Sequence, residues 1–359
     1  RHIMRLHTIL AAALAAAVPA VFAQTLPQTA GPKNAITDVP GIEVGHYTVT
    51  NGSGGMTGTT AVITRGGATA GVTQRGGAPG TRDTDLLKSD KAWGTVHAIT
   101  LSGGSAYGLA ASDGVMTCLE SQGVGMTVAN GVRMPVVPSA ILFDPGRCAP
   151  FNFRPDASFG EAACRAANNG PVQMGNVGAG AGARAGGTKG GIGTASAVLP
   201  NGVVVGAIVA VNAAGRVFDA ATGDFFAGYT MGTGDTSTRV ADMTPPDTDN
   251  QPLLRATTIA IVATNARLTK AQANKVAQMA DDGLARAIRP AHGTGDGDTV
   301  FSLATGTVTT TPNINQIGGA AADALSRAII RAMLAADGIH VGSCNVSSYC
   351  ELFPARCNR

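Results

Sequence analysis

The clearest indication of the fold comes from residues 255–265, Arg255-Ala256-Thr257-Thr258-Ile259-Ala260-Ile261-Val262-Ala263-Thr264-Asn265. We predict a strand from Thr257 to Ala263, which is too apolar to face water on either side and therefore needs a layer of structure on both faces. A polar, proline-containing segment from Met243 to Pro252 precedes it. The sequence thus predicts a loose loop that leads into a buried strand, with a threonine at the entrance.

A hydroxyl at such an entrance is suited to self-cleavage. If the chain is cut just before Thr257, the threonine gains a free amine beside its own hydroxyl, and that amine can serve as its base. The pattern alone also fits an ordinary β-branched residue that starts a strand. We therefore take Thr257 as the candidate nucleophile, the bond between Ala256 and Thr257 as the candidate cleavage site, and residues 243–256 as the candidate processing loop.

A lysine in a glycine-rich segment is the second candidate. Lys189 stands in Gly186-Gly187-Thr188-Lys189-Gly190-Gly191, where small neighbours let its side chain approach a substrate closely. Its charge would favour a developing oxyanion and would keep a nearby amine neutral, as a base must be. The order of residues excludes a phosphate-binding loop, which requires Gly-Lys followed by Ser or Thr. An ordinary solvated loop lysine is the alternative.

Asn212 closes the apolar run from Val203 to Val211. An amide at the end of a buried strand must hydrogen-bond something, and a side-chain donor aimed at an oxyanion is one use of it. The alternative is that Asn212 caps the turn that follows it.

Two acids precede another predicted strand. Asp296 and Asp298 occupy alternate positions in Gly295-Asp296-Gly297-Asp298-Thr299, so both point the same way if strand geometry starts early. They are candidates to orient the amine and hydroxyl of Thr257 and to offset the charge of Lys189. The segment lacks the longer run of oxygen ligands that a calcium-binding EF-hand needs, and a plain acidic turn is the alternative.

The N-terminus predicts export. Residues 1–3 precede the expected start at Met4 and look like a short extension ahead of it. A short basic region follows, and then an alanine-rich apolar run from Ile9 to Phe22 ends at a small-residue cleavage site before Gln24. Residues 1–23 therefore resemble a secretory signal peptide, which places the mature protein in the periplasm or outside the cell, off the membrane. A membrane anchor is the alternative, although the run is shorter than the ~20 apolar residues of a span.

Composition narrows the remaining functions. The net charge is only +3 and aromatic residues make up 4% of the chain, so the stacking surface that a nucleic-acid partner needs is not expected. Export permits disulfides among the six cysteines. Cys344, Cys350 and Cys357 are close enough in sequence to pair locally, and Cys148 could pair with Cys164, but spacing alone does not determine the connectivity. The histidines have no ligand spacing with the cysteines, so we expect no metal and no cofactor.

The remaining patterns predict one domain. Predicted strands lie at 42–49, 60–64, 97–101, 202–211 and 299–303, and predicted helices at 106–122, 157–167, 269–288 and 320–335. The clearest helix, 269–288, begins with a capping box of Thr269 and Gln272 and ends before Pro290. Strands and helices mix from end to end, which indicates layered α/β or α+β architecture.

Five segments, in order, resemble the DmpA/BapA-type self-processing aminopeptidases, which include β-aminopeptidases and nylon-oligomer hydrolases of the NylC type. The resemblance covers about residues 34 to 340. The segments are Ile36-Thr37-Asp38-Val39-Pro40-Gly41-Ile42, Gly76-Gly77-Ala78-Pro79-Gly80-Thr81-Arg82, Leu101-Ser102-Gly103-Gly104-Ser105-Ala106-Tyr107-Gly108-Leu109, Gly175-Asn176-Val177-Gly178-Ala179-Gly180 and residues 257–265.

This resemblance implies an α+β fold, a four-layer αββα sandwich similar to the Ntn hydrolases but differently connected. It also implies a precursor that cuts itself into an α chain, residues 24–256, and a β chain, residues 257–359. The two chains would form one structural domain, and the αβ units would assemble as tetramers.

The resemblance also assigns roles, residue by residue. Thr257 matches the nucleophile, and Lys189 and Asn212 match catalytic and oxyanion positions. Asp296 and Asp298 match the acidic pair of the nylon-oligomer hydrolases, which together with the threonine places the chain nearest that branch.

One position departs from the family. Nylon-hydrolase relatives usually carry Asn before the nucleophile and other branches carry Gly, whereas this chain has Ala256. A small residue leaves its carbonyl open to the hydroxyl of Thr257 but removes an amide that would hold a strained geometry. Ala256 is therefore the feature that favours the alternative of an unprocessed chain.

The sequence therefore predicts an exported, self-cleaving N-terminal-threonine amidohydrolase for small peptides, amides or linear nylon-type amide oligomers. One alternative is a strict aminopeptidase for short or β-amino peptides. The other is an unprocessed envelope protein that binds ligands in the glycine-lined cleft without turnover.

Overall fold

The structure is a computed structural model that describes residues 29–231 and 256–357. The predicted signal peptide and the segment from Met243 to Pro252 lie outside the described residues. Within them, the strands are β1 (Glu43–Thr50), β2 (Met56–Gln74), β3 (Thr81–Arg82), β4 (Thr95–Ser102), β5 (Met126–Thr127), β6 (Arg133–Met134), β7 (Ser139–Ile141), β8 (Arg184–Ala185), β9 (Thr188–Lys189), β10 (Ile192–Val198), β11 (Val204–Ala210), β12 (Ile259–Ala266), β13 (Thr299–Val308), β14 (Ile339–Val341) and β15 (Cys344–Val346). The α-helices are α1 (Ala111–Ser121), α2 (Ala157–Arg165), α3 (Lys270–Ala287), α4 (Ile314–Ala335) and α5 (Tyr349–Leu352).

The strand β2 links two halves of the sheet. Its first half pairs with β1 and β4, so that Val62 lies opposite both Val44 and Ile99. Its second half pairs with β13, where Val72 lies opposite Phe301. The sheet order is β10-β11-β12-β13-β2-β4-β7-β3, with β1 against the first half of β2. One 19-residue strand therefore runs through both halves.

The buried side chains separate into three apolar layers. Inner residues of both sheet halves, such as Ile99 and Ile261, pack together in the middle. On one outer face, α3 and α4 cover the alternate residues of β10 to β13, such as Val262. On the other, α1 and α2 cover residues such as Ile63. Because neighbouring strand residues point to opposite faces, this arrangement is a four-layer αββα sandwich, as the sequence predicts.

The ends of three strands meet at one edge of this sheet. The strand β12 is parallel to β13, with Ile259 opposite Thr299, and antiparallel to β11, with Ile259 opposite Ala210. The starts of β12 and β13 therefore lie beside the end of β11. This topology brings the residues before Ile259, before Thr299 and after Ala210 together.

The predicted elements are confirmed, with shifts at their ends. The capping box of α3 forms as predicted, since the Thr269 side chain accepts from the Gln272 N–H. Helix α4 starts six residues before its predicted start at residue 320, and Asn313 caps it. The predicted helix at 106–122 is a 3-10 turn, Ser105–Ala110, followed by α1. The strand β12 starts at Ile259 rather than at residue 257.

The strand β10 was not predicted, because its sequence Ile-Gly-Thr-Ala-Ser-Ala-Val is rich in small residues. The fold needs those small residues. A Cβ on Gly193 would lie 1.9 Å from the Ala328 carbonyl oxygen of α4, so the small side chains let this helix approach the sheet closely.

The cysteines form three disulfides: Cys118–Cys164, Cys148–Cys344 and Cys350–Cys357. The pair of Cys148 with Cys164, which the sequence left open, does not form, because the packing of α1 on α2 places Cys164 beside Cys118. Local pairing holds for Cys350 and Cys357 only. Cys344 instead pairs with a cysteine 196 residues earlier, a contact that only the tertiary fold creates. Among the described residues, no helix is long and apolar enough to cross a bilayer.

Candidate active site

Thr257 lies at the edge where β11, β12 and β13 meet. It is buried, with 5% of its surface exposed. Its backbone N–H donates to the backbone carbonyl of Asn212 at 2.5 Å. Its hydroxyl donates to the carbonyl of the preceding residue, Ala256. The nucleophile candidate is therefore held against the bond that self-cleavage would break.

The Ala256 carbonyl has a second donor. The backbone N–H of Gly297 lies 3.3 Å from the Ala256 carbonyl oxygen. A Cβ on Gly297 would lie 2.8 Å from the Thr257 Oγ1 and 2.8 Å from the Ala78 carbonyl oxygen. Glycine thus lets the backbone between the two acids approach the threonine. The position of the Ala256 carbonyl is therefore fixed by a backbone hydrogen bond and does not require a polar side chain at position 256.

Asp298 holds the residue after the nucleophile. Its Oδ1 accepts the Thr258 N–H at 2.8 Å, and its Oδ2 accepts the His292 N–H at 3.0 Å. The sequence predicted contact with the amine and hydroxyl of Thr257. In the intact chain, the Asp298 carboxylate instead fixes the backbone one residue further on, at the start of β12.

Asp296 lies beside Ala256, with which it forms a parallel β-bridge. Its Oδ2 accepts the Gly293 N–H at 3.1 Å. Burial and, after it, the negative charge of Asp298 raise the pKa of Asp296 to about 6. The two acids are thus close enough to interact, as their spacing predicts.

The Asn212 side chain is fully buried. Its Oδ1 accepts from Arg147 Nη1 at 2.5 Å and from the Arg184 N–H at 3.0 Å. These two donors determine which end of the amide is the oxygen. Its Nδ2 donates to the Phe143 carbonyl at 3.4 Å, a long contact. The nitrogen is therefore the end of Asn212 that can donate to a ligand.

Lys189 is 1% exposed, so the alternative of a solvated loop lysine is wrong. Its ammonium donates to the carbonyls of Gly180 at 3.1 Å and Gly190 at 2.7 Å. Burial, with the charges of Arg147 and Arg184, lowers the pKa of Lys189 to about 7. Lys189 lies opposite Arg184 in the β8–β9 hairpin. It therefore joins the site through the residue whose N–H holds Asn212.

Comparison with known proteins identifies the family. The sequence profile of Peptidase family S58 matches residues 34–345. The chain belongs to peptidase family S58. It is 46% identical over 308 residues to an uncharacterized aminopeptidase of Mycobacterium leprae (strain TN), covering 78% of this chain and 80% of that protein.

Two further matches extend the comparison. The S58 chain is 32% identical over 289 residues to the 6-aminohexanoate-oligomer endohydrolase of Kocuria sp. (strain KY2), covering 75% of this chain and 74% of that protein. It aligns with the structure of the L-aminopeptidase D-Ala-esterase/amidase from Ochrobactrum anthropi, a variant of the Ntn hydrolase fold. That alignment has a TM-score of 0.68 and 22% identity, and covers 92% of this chain and 95% of that one.

This S58 protein is thus a peptide or amide hydrolase with an Ntn-type fold. The resemblance noted from its motifs is confirmed, and so is the predicted class of enzyme.

Sequence reasoning missed the residues that support the site of this S58 peptidase. Asp144 accepts from the Gly104 N–H at 2.7 Å and from the Thr57 hydroxyl at 2.8 Å, and burial raises its pKa to about 6. Arg147 follows it in the turn Asp144-Pro145-Gly146-Arg147. A charged pair flanking Pro-Gly just after a buried segment was a usable signal.

His292 was missed for a different reason. It has a left-handed backbone conformation, with φ 60°, and follows the helix terminator Pro290 in a stretch that reads as a loop. Its ring Nδ1 lies 3.1 Å from Asp298 Oδ2, and its Nε2 lies 3.4 Å from Asp281 Oδ2. Nothing in the local sequence indicates that Asp281 of α3 and Asp298, the residue just before β13, meet at this ring.

Proposed function

We propose that this S58 peptidase is an exported, self-cleaving N-terminal-threonine amidohydrolase. Residues 1–23 are its signal peptide, residues 24–256 its α chain and residues 257–359 its β chain, and the two chains form one structural domain. The protein acts in the periplasm or outside the cell, free of the membrane, as a tetramer of αβ units. It needs no cofactor and binds no nucleic acid.

One observation supports this proposal most strongly. The hydroxyl of Thr257 contacts the Ala256 carbonyl, which also receives the Gly297 N–H at 3.3 Å. An N-to-O acyl shift requires a hydroxyl next to the preceding carbonyl and a donor for the oxygen that becomes negative. Thr257 supplies the hydroxyl and Gly297 supplies the donor. Neither contact depends on the side chain at position 256.

Self-cleavage then proceeds in two steps. The Thr257 oxygen adds to the carbonyl carbon of Ala256, the C–N bond breaks, and the nitrogen takes the hydroxyl proton. This leaves an ester and a free amine. Water hydrolyses the ester, which gives a carboxylate on Ala256 and restores the hydroxyl of Thr257 beside its new amine.

Turnover reuses the same atoms. The Thr257 amine takes the hydroxyl proton, directly or through one water, and the oxygen attacks an amide carbonyl. The Thr257 ammonium then protonates the leaving amine. Water repeats the sequence on the acyl enzyme and releases the acid.

The buried polar residues have separate roles. The Nδ2 of Asn212 donates to the oxyanion, helped by the charge of Lys189. With its pKa lowered to about 7, Lys189 carries a positive charge in part of the population at neutral pH. That charge also favours the neutral form of the Thr257 amine. Asp296 and Asp298 hold the backbone on both sides of the cut.

The proposed substrates are small peptides, amides and linear nylon-type amide oligomers. The 32% identity to a 6-aminohexanoate-oligomer endohydrolase supports the last class. A strict aminopeptidase for short or β-amino peptides is the second candidate, because the 46% identical mycobacterial relative is named an aminopeptidase. A panel of capped and uncapped peptides with 6-aminohexanoate oligomers separates them. A strict aminopeptidase releases N-terminal residues only, whereas an endohydrolase also cuts internal bonds.

Denaturing, reducing electrophoresis with intact-mass measurement tests the cleavage. The protein should give pieces of 256 − 23 = 233 and 359 − 256 = 103 residues, and N-terminal sequencing should find Thr257 first in the smaller piece. Thr257→Ala should remain whole. Thr264→Ala, at the far end of β12, is the matched control and should be cut normally. A fully active protein that stays in one piece would refute the proposal, and an uncut, inactive one would favour the ligand-binding alternative.

A further inference from the structure

We propose that the disulfide Cys148–Cys344 joins the two products of self-cleavage covalently and clamps the residues that support Asn212 and Lys189. This inference rests on the proposed cleavage before Thr257. It concerns a bond between two parts of the chain that are far apart, since Cys344 lies 196 positions after Cys148 in the sequence.

The three disulfides differ in where they lie relative to the proposed cleavage site. Cys118–Cys164 lies within residues 24–256, and Cys350–Cys357 lies within residues 257–359. Cys148 belongs to the first piece and Cys344 to the second. All six cysteines of the chain are paired. Cleavage therefore leaves one covalent bridge between the pieces.

The Cys148 side of the bridge is next to the groups that fix Asn212. Its neighbour Arg147 donates to Asn212 Oδ1 at 2.5 Å and to the Gly182 carbonyl at 3.1 Å. The guanidinium of Arg184 lies 3.5 Å from Cys148 Sγ, and the Arg184 N–H is the other donor to Asn212 Oδ1. The position of Cys148 thus constrains both donors that orient the amide.

The Cys344 side of the bridge is next to the backbone of Lys189. Cys344 is buried in β15, and three residues later the Ser347 carbonyl accepts the Lys189 N–H at 2.9 Å. Lys189 itself pairs with Arg184 in the β8–β9 hairpin. The disulfide therefore ties the C-terminal segment that supports Lys189 to the turn that supports Asn212. One of these segments comes from each piece of the cut protein.

Formation of this bond requires an oxidant. The two thiols lose two electrons and two protons. A protein or small-molecule disulfide accepts them by thiol–disulfide exchange and is itself reduced to a dithiol. Exported proteins meet such oxidants.

Intact-mass measurement of the denatured protein, with and without a dithiol reductant, tests the covalent link. Without reductant, the wild type should give one mass, that of the uncut mature chain plus one water, and with reductant it should give the two pieces. Cys148→Ser/Cys344→Ser should give two pieces in both conditions. The matched control Cys118→Ser/Cys164→Ser should stay joined until it is reduced.

The outcomes separate this inference from the proposed function. A wild type that is one uncut polypeptide under reducing conditions contradicts the cleavage. A wild type that is cut, but whose pieces separate without reductant, contradicts the disulfide link alone.

Turnover tests the clamp. Both double variants should be compared after circular dichroism has confirmed that they fold and electrophoresis has confirmed that they are cut. We expect kcat to fall by about tenfold or more in Cys148→Ser/Cys344→Ser, because small displacements of an oxyanion donor are costly. KM should change less than kcat, since Asn212 acts on the transition state. Equal kcat in the two double variants would overturn the clamp.

Discussion

His292 and Asp298 are joined twice: the Asp298 Oδ2 accepts the His292 N–H at 3.0 Å and lies 3.1 Å from its ring Nδ1. The other ring nitrogen lies 3.4 Å from Asp281 Oδ2. Burial lowers the pKa of His292, but the hydrogen bond to Asp298 and the charges of Asp281 and Asp298 raise it above its usual value overall. These two carboxylates therefore favour the protonated form of the His292 ring, which lies between them close to the start of β12.

We expect His292→Gln to move the acid limb of the activity profile to higher pH. The positive ring lowers the pKa of Asp296, which burial raises to about 6. It also lowers the pKa of Asp281, which is raised to about 6 by burial. Without the protonated ring, the pKa values of Asp296 and Asp281 rise, so the two carboxyls ionise only at higher pH. The measurement is kcat/KM against pH, which reports groups of the free enzyme.

The control for this experiment is His340→Gln. His340 is also paired with an acid, Glu351 at 3.1 Å, but is half exposed and lies in β14. Its variant should keep the wild-type profile. The other charges that act on His292 or on its partner Asp281 are those of Arg75 and Asp282, and they remain in both proteins. An unmoved acid limb in His292→Gln would show that the ring does not influence the site.

Lys189→Met should leave a processed, folded protein that hydrolyses amides slowly. Methionine fills a similar volume in the buried site but has no charge, so it removes the cation that we propose stabilises the oxyanion and keeps the Thr257 amine neutral. We expect kcat to fall by roughly 10²-fold, the usual cost of one oxyanion-stabilising group. Steady-state kinetics on a small amide substrate measures it.

Lys270→Met is the matched control, because Lys270 also donates to backbone carbonyls, those of Leu86 and Lys91 at 2.7 and 2.8 Å. Its loss should lower stability and leave kcat unchanged. If the two lysine variants lost turnover equally, the effect would be structural and Lys189 would have no role in the reaction.

The sequence predicts the apolar framework of this protein well, because local periodicity determines it. The apolar run before Asn265 is β12, and the capping box at Thr269 starts α3. The candidates Thr257, Asn212 and Asp298 meet because their strands share one edge. Once the strands were recognised, only their pairing was needed to bring these residues together.

The contacts behind the site could not be predicted in this way. His292 meets Asp281 through the packing of α3 beside β13, and Cys148 meets Cys344 across most of the chain. Such pairs depend on tertiary distances that no local pattern records. The long strand β2 was also predicted only in part, since Gly66 and Gly67 interrupt its apolar pattern.

Gly297→Ala should slow self-cleavage. An added Cβ would lie 2.8 Å from Thr257 Oγ1 and 3.1 Å from its Cγ2, so the hydroxyl must leave the Ala256 carbonyl or the backbone donor must withdraw. We expect the rate of cleavage to fall by tenfold or more, on the order of the loss of one well-placed donor. Reducing electrophoresis of samples taken over time after synthesis measures it. Gly66→Ala, where the added Cβ meets open space, should be cut at the wild-type rate, and equal rates in both variants would remove Gly297 from processing.

Acid should destabilise the fold through His46. Its Nδ1 lies 2.9 Å from the Thr60 hydroxyl, its Nε2 is buried, and burial lowers its pKa to about 4. The unfolded chain, with a histidine pKa of about 6.5, takes up the proton first as pH falls. Stability from the neutral ring is therefore complete above about pH 6.5 and is lost towards pH 4, by about 3 kcal/mol.

Urea unfolding of the uncut Thr257→Ala protein, with and without His46→Gln, measures this loss at pH 7.5 and pH 4.5. The comparison is needed because burial raises the pKa values of Asp144, Asp281 and Asp296 to about 6. Those carboxyls change stability in the opposite direction, since the folded state retains their protons longer. They are present in both proteins and cancel in the difference. His46→Gln should lose less stability than its parent between the two pH values, because glutamine has no proton to gain. A difference between the two proteins that is independent of pH would mean that His46 is not held neutral by burial.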